Sequence, residues 1–266
     1  MNKILTFIIL TIISANLFGQ NADELNEQSK KFIQTQEFDK AVPLLKQASD
    51  LGSPEAQYNL GYCYQSGIGV DQDLKKSIEL FSKSAVQGWN NALYALMMAY
   101  GNGNGVKQDS VKAFEYALRC AKNNDATCML NVVTFYKDGF GTEKDKNKML
   151  EWLLKLAKLE NPENLQLSGR ITSARLNLAY MYRDGLEVEK DSTLSYYWFL
   201  IYNEFKIDFS YQVQLNIIDE IKELESKLPD NIKLNAKDET IKIINRPLIN
   251  LEKLYTAEIE QNFHGK

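Results

Sequence analysis

Histidine is nearly missing from this chain: His264, in the C-terminal tail, is the one copy. The body therefore offers no Ser-His-Asp or Cys-His arrangement, because both need an imidazole beside the nucleophile. A multi-histidine metal site is excluded as well. Basic character is also short. Lys and Arg number 31 against 35 Asp and Glu, a formal charge of −4, and no basic cluster occurs. That balance argues against nucleic acid and against anionic membrane surfaces as partners. Neither Ser-x-x-Lys nor Lys-Thr-Gly is present. The carboxylates are many, but they fall on polar helix faces. Asp138 and Asp184 stand beside turn glycines without the alternating acids of an EF-hand loop. These absences leave no candidate catalytic residue, no metal ligand and no cofactor. After the apolar run Ile4–Ile13, no further stretch could cross a membrane.

What the chain does have is repetition. Residues 99–109, "AYGNGNGVKQD", look at first like a phosphate-cradling loop. Such a loop follows a strand, opens a helix and normally occurs once. Here the preceding segment reads as a helix, with Ala92, Leu96 and Tyr100 four apart on one face. No Lys-Ser or Lys-Thr follows the glycines. The motif also recurs, as "CYQSGIGVDQD" (63–73), "FYKDGFGTEKD" (135–145) and "MYRDGLEVEKD" (181–191). Spacings of 36, 36 and 46 residues mark a repeat array with one 10-residue insertion.

Every position of the unit has a physical role. Ala56, Ala92, Cys128 and Ala174 open helix A of each copy. Leu60, Leu96, Val132 and Leu178 follow four residues later, then Tyr64, Tyr100, Tyr136 and Tyr182, so the trio lies on one stripe. Gly67, Gly103, Gly139 and Gly185 end that helix, where the chain must turn through positive φ. Val70, Val106, Thr142 and Val188 are expected to tuck into the core. Asp73, Asp109, Asp145 and Asp191 are placed to N-cap helix B, whose apolar face opens with Ser77, Ala113, Met149 and Ser195.

This pattern resembles the Sel-one-like repeat (SLR) family, relatives of the tetratricopeptide repeat, over 53–88, 89–124, 125–160 and 172–204. The first copy, "AQYNLGYCYQSGIGVDQDLKKSIELFSKSAVQG", fits most closely. The resemblance implies an all-α fold, an α/α superhelical solenoid of helix pairs. Two departures are visible. Gly61, where the family prefers glycine for close helix packing, becomes Met97, Val133 and Ala179, and the second loop glycine becomes Glu187. Less regular packing is expected in the later copies. Some secreted members of this family carry penicillin-binding or β-lactamase labels. Without the motifs of those enzymes, such a label does not transfer. Cys120 and Cys128 are separated by seven residues, the spacing of the disulfide that staples adjacent helices in secreted cysteine-rich members. An oxidising compartment suits such a bridge. The plainer alternative is two small buried residues. Cys63 has no evident partner.

The ends of the array differ from its middle. Residues 1–19 read as a secretory signal peptide, with cleavage near Gly19–Gln20 and an uncleaved anchor as the alternative. This implies a periplasmic or secreted protein with no stable membrane insertion after cleavage. Residues 20–52 form a degenerate, tetratricopeptide-like first repeat, with Pro43 near the start of its helix B. The insertion 161–170 is expected to lengthen the connection before the fourth copy and to bulge from one edge, either neutrally or as a functional loop. Residues 205–266 read as capping helices and a tail, with Val213, Ile217, Ile221 and Leu224 on one face of the first.

In the related tetratricopeptide geometry, helix A lines the concave side. The implied inner column is Tyr58 and Tyr62, Tyr94 and Met98, Leu130 and Thr134, Leu176 and Tyr180, flanked by Gln65, Lys137 and Arg183. Tyrosine and methionine with polar edges suit an extended peptide or a partner helix. Contacts between repeats are the competing use of the same residues. The resulting expectation is a non-enzymatic scaffold or adaptor of the cell envelope with a protein or peptide partner. Alternatives are a hydrolase or ligand-binding protein acting on cell-wall material, and a regulatory subunit docking a membrane sensor. One expectation is directly measurable. Expressed with its own N-terminus in a secreting bacterium, the exported chain should have the intact mass of a protein beginning at or near Gln20. A mass that retains residues 1–19 would establish the uncleaved anchor.

Overall fold

The computed structural model describes residues 21–162, 164–205 and 211–252. The proposed signal peptide, its cleavage point and His264 lie outside the described residues. Among those described there is helix and turn and no strand. Residues 21–34 form α1. The helix pairs follow: α2 Phe38–Asp50, α3 Pro54–Ser66, α4 Leu74–Val86, α5 Asn90–Asn102, α6 Ser110–Lys122, α7 Ala126–Asp138 and α8 Lys146–Ala157. After them come α9 Leu165–Asp184, α10 Ser192–Glu204, α11 Tyr211–Lys227, α12 Asp230–Ile244 and α13 Ile249–Glu252. The fold is all-α and consecutive helices pack in pairs, as the repeat pattern implies. Two compact units divide the chain within α7: Met1–Cys128 with Phe140–Glu143, and Met129–Gly139 with Lys144–Lys266.

The turn chemistry of the first unit is that read from the repeats. Gly67 and Gly103 end α3 and α5 in the left-handed region, at φ 69° and 77°. Asp73 and Asp109 then do two things. Their backbone N–H groups donate to the carbonyls of Tyr64 and Tyr100, at 2.9 and 2.8 Å, which closes the loop. Their carboxylates accept from the N–H groups of Lys76 and Lys112, both at 3.0 Å, which caps the next helix. Each such cap contributes about 1 kcal/mol. The second unit repeats the device with Asp145, and with Asp191, whose carboxylate takes the N–H groups of Thr193 and Leu194. The valines after the glycines are half-buried, so they lean on the core more than they enter it.

The second glycine of each loop has a different task. A Cβ at Gly69 would fall 2.7 Å from Phe38 Cβ, at Gly105 2.9 Å from the Leu74 carbonyl oxygen, and at Gly141 1.9 Å from that of Ser110. Phe38, Leu74 and Ser110 are each the first residue of a helix B, in α2, α4 and α6. Each loop is thus laid directly on the start of the preceding repeat's helix B. In the fourth copy Glu187 takes the left-handed conformation at φ 63°. Its carboxylate reaches Lys146 Nζ at 2.6 Å, and Lys146 is the first residue of α8. An ion pair stands there at the place of the backbone contact.

Packing in the later copies is not the looser one expected. Gly61, Met97, Val133 and Ala179 are all buried. Twenty residues later, on helix B, stand Phe81, Ala117, Leu153 and Phe199, also all buried. Where the helix A residue is smallest its helix B counterpart is largest, and Met97 is matched by Ala117. In the first copy the contact is direct, since a Cβ on Gly61 would lie 2.8 Å from the Phe81 ring. Holding the summed volume constant is the substitution pattern cores tolerate best.

Two further expectations are adjusted. Six of the ten inserted residues are helix: Leu165–Arg170 are the first residues of α9, capped by Asn164, so this copy's helix A is lengthened to 20 residues. Pro43 is the sixth residue of α2, past the first turn, with its ring exposed. α12 begins at Asp230, directly after Pro229.

Cys120, at the end of α6, and Cys128, in the first turn of α7, form a disulfide with Cα atoms 5.7 Å apart. Cys63 is free and buried, and burial pushes its thiol pKa up. Asp125 lies within 4.8 Å of both bonded sulfurs. Its carboxylate accepts the Cys128 N–H at 2.9 Å, a capping role.

Two predictions follow from this geometry. Gly141→Ala should lower stability in urea titration by at least about 2 kcal/mol, because left-handed backbone and steric overlap add. Glu187→Gly should change it by less than about 0.5 kcal/mol, since strain is relieved as a surface ion pair is lost. Equal effects at the two sites would contradict the contact described. Converting Cys120 and Cys128 together to serine should cost roughly 2–3 kcal/mol under oxidising conditions, and nothing relative to the parent when both are reduced.

Candidate functional site

In the first unit the four residues read from the sequence lie on α3 and α5. Tyr58 and Tyr62 are one turn apart on α3, and Tyr94 and Met98 are one turn apart on α5. Tyr62, Tyr94 and Met98 are 48%, 37% and 42% exposed, high values for large apolar side chains. Tyr58 is half-buried, its ring 5.6 Å from that of Phe81. Burial, with the Tyr62 phenol nearby, pushes its pKa up. Tyr58 is therefore partly a packing residue, and Tyr62, Tyr94 and Met98 are the ones presented to solvent. Such a surface offers apolar area with hydroxyl tips and no ionised group among the four.

In the second unit the column is less available. Thr134 is exposed, and its hydroxyl donates to the carbonyl of half-buried Leu130 at 3.1 Å. Leu176 and Tyr180 are half-buried. The Tyr180 ring stands edge-on to Phe199 at 5.4 Å. Arg183 lies 4.5 Å over the Tyr180 ring. It pairs with Asp184 at 2.7 Å and with Glu220 of α11. Burial, then Glu220, raises the Tyr180 pKa. At the fourth copy the chain's own α11 thus engages the two residues that the sequence assigned to a partner. Gln65 and Lys137, the other flanking residues, are half-buried and exposed respectively.

The sequence carried a signal about the fourth copy that the repeat pattern alone does not reveal. On the outer face of helix B the first three copies carry Lys76, Glu79 and Lys83, then Lys112, Glu115 and Arg119, then Lys148, Glu151 and Lys155, all exposed. In α10 the same three positions are Leu194, Tyr197 and Ile201. A helix that is apolar on its outer face must be covered, and beyond its first turn, where Leu194 is still 37% exposed, α10 is: α9, α11, α12 and α13 all pack on it. Trp198 through Glu204 are buried without interruption. Polar bonds fix the covering. The Tyr196 hydroxyl donates to Glu225 of α11 at 2.6 Å, and Glu225 pairs with Lys237 of α12 at 3.1 Å. The Glu204 carboxylate, fully buried, accepts from Arg246 and from the N–H groups of Ile249 and Asn250, so it caps α13. Glu204 is the one buried acid among the described residues, and every partner it has here is structural.

Comparison with known proteins agrees with this architecture. The Sel1 repeat model matches residues 54–89, 91–125, 134–161 and 172–201. No curated protein matches the sequence. Among solved structures, a Sel1 repeat protein from Oxalobacter formigenes is 21% identical with a TM-score of 0.61. That match covers 82% of this chain and 84% of the other. The protective antigen c5321 of uropathogenic Escherichia coli strains, described as displaying an SLR fold, is 19% identical over 94% of this chain and 59% of its own. Its TM-score of 0.39 carries no further weight.

Proposed function

This chain belongs to the Sel1 repeat family, and on that footing we propose that it is a non-enzymatic scaffold of the cell envelope that binds a protein partner through the exposed face of α3 and α5. The observation that carries the reading is the set Tyr62, Tyr94 and Met98, large apolar side chains held in solvent at matching positions of two repeats. Large apolar residues left exposed in register are what a recognition surface requires. Unlike a flexible loop, two capped helices hold them with little ordering cost. An extended peptide or one helix of a partner would cover them. The chemistry of that occupant is apolar with hydrogen-bonding edges, since none of the three contributes a charge. Tyr58 supports the face from beneath. Taken by itself, the second unit has Leu130, Thr134 and Leu176 in the same proposed role, with Tyr180 and Arg183 shared with α11.

Placement outside the cytoplasm is supported by the disulfide, which persists in oxidising compartments, and by the N-terminal pattern of residues 1–19. No helix among the described residues is long and apolar enough to cross a membrane. The packing of α11–α13 on α10 favours a capping role for the C-terminal segment over a sensor-docking arm. A wall-directed hydrolase is disfavoured by the engagement of Glu204.

Affinity capture from envelope extract tests the reading. The baits are the intact protein and a Tyr62→Ala, Tyr94→Ala, Met98→Ala variant whose circular dichroism and thermal midpoint match the parent. A protein retained by the parent should fall at least about tenfold on the variant, because a few exposed anchors dominate such interfaces. Equal retention would remove the α3–α5 face from consideration. Retention of nothing by the parent would count against the scaffold reading itself.

A further inference from the structure

We propose that the open hollow lined by α8, α9, α10 and α12 binds a small amphipathic acid, a carboxylate carried on a short acyl chain or a single aromatic ring. This site is separate from the face of α3 and α5 and does not depend on it. The hollow is about 310 Å³, at the small end of ligand clefts, with room for one ring or one short chain. Its walls are mainly apolar: Leu154, Leu194, Ala236, and the rings of Tyr182, Tyr197 and Trp198.

The hollow exists because the fourth copy breaks the repeat pattern. In the first three copies a lysine in the first turn of helix B lies over the tyrosine that ends helix A. Lys76 stands 4.6 Å from the Tyr64 ring, Lys112 5.1 Å from Tyr100, and Lys148 5.4 Å from Tyr136. Their fourth-copy equivalent is Leu194, so Tyr182 loses its cation and gains an apolar neighbour. Tyr197 stands where the other copies have glutamate. The places of an ammonium and a carboxylate in each earlier repeat are here an isobutyl group and a phenol, and α12 supplies the facing wall.

The polar lining selects the sign of the ligand. Lys158 forms no ion pair among the described residues, and it also lines the adjoining hollow that contains Arg175 and Arg246. At the Tyr197 phenol the charge of Glu239 and, after it, that of Arg175 act in opposite senses. Glu239 is the one carboxylate in the lining, and it is shared with exposed Lys242 at 2.5 Å. The remaining groups are hydroxyls and an amide: Tyr182, Tyr197, Thr193 and Asn235. Burial, then the charge of Glu239, pushes the Tyr197 pKa up to about 12, so its hydroxyl is a neutral donor. A cationic ligand would meet Lys158 and find the acid shared with Lys242. An anion would meet one unpaired ammonium and several neutral donors, the charge-assisted arrangement that binds carboxylates.

Isothermal titration of the whole chain with three ligands sharing one tail decides the matter: octanoate, octanol and octyltrimethylammonium. Octanoate should bind with one-to-one stoichiometry, at least about tenfold more tightly than the other two. Lys158→Gln, an exposed position without an ion pair, should erase that preference and leave the fold intact. Leu194→Glu, which puts a second carboxylate into the lining, should abolish octanoate binding. Octyltrimethylammonium binding as tightly as octanoate would overturn the proposal. So would undiminished octanoate binding by a folded Leu194→Glu variant, or no heat with octanoate at millimolar concentration.

Discussion

Backbone laid against backbone with nothing between sets the geometry of the repeats. The loops at Gly69, Gly105 and Gly141 rest on the first residues of α2, α4 and α6 at distances that leave no room for a Cβ. This contact recurs between a repeat and the one before it. The left-handed glycine that ends helix A and the aspartate that caps helix B serve to deliver the loop to that place. Close approach of this kind tolerates no gradual adjustment, because interiors are packed to near-crystalline density. The fourth copy shows a second solution to the same constraint. There the loop carries a side chain, and an ion pair from Glu187 to Lys146 joins it to the preceding helix.

Much of this architecture could be read from the sequence, because turn chemistry is local. A glycine at positive φ and an aspartate six residues later declare themselves without knowledge of anything distant. The pairing of helices and the register of Tyr62, Tyr94 and Met98 were legible for the same reason. Size compensation was not. Gly61 and Phe81 are separated by twenty positions, and the significance of Met97 depends on Ala117 being small. The helical part of the insertion was hidden because residues 165–170 lack an apolar stripe of their own. They continue a helix whose stability comes from the buried residues after Ile171. The apolar outer face of α10 was in the sequence throughout, visible once Leu194, Tyr197 and Ile201 are set beside the lysines and glutamates of the other copies.

The candidate site was legible in kind and less so in extent. Sequence register places eight residues on one column, with Arg183 among those flanking it. Burial separates them into residues presented to solvent and residues with work inside the chain. Arg183 illustrates why a repeat-based projection overreaches. Its register position is that of a surface residue, yet an acid on α11, 37 residues further on, takes its guanidinium. Only the tertiary fold makes that pairing known. Conversely, the hollow beside Tyr197 and Trp198 belongs to no repeat position, since one of its walls comes from α12, outside the repeated pattern.

The enclosure of α10 gives the array a direction of growth. In the earlier copies the outward stripe of helix B is charged and exposed, and each loop docks on a helix start that every copy supplies. A duplicated unit inserted among those copies would find its neighbours' surfaces already suited to it. After the fourth copy the described residues offer no such stripe, because its positions are Leu194, Tyr197 and Ile201, α12 packs on α10, and Glu204 is committed to α13. Lengthening this protein by duplication is therefore open upstream of α9 and closed downstream of α10. Relatives of different length should differ in the number of units before the fourth copy and keep the C-terminal three helices together with an apolar final helix B.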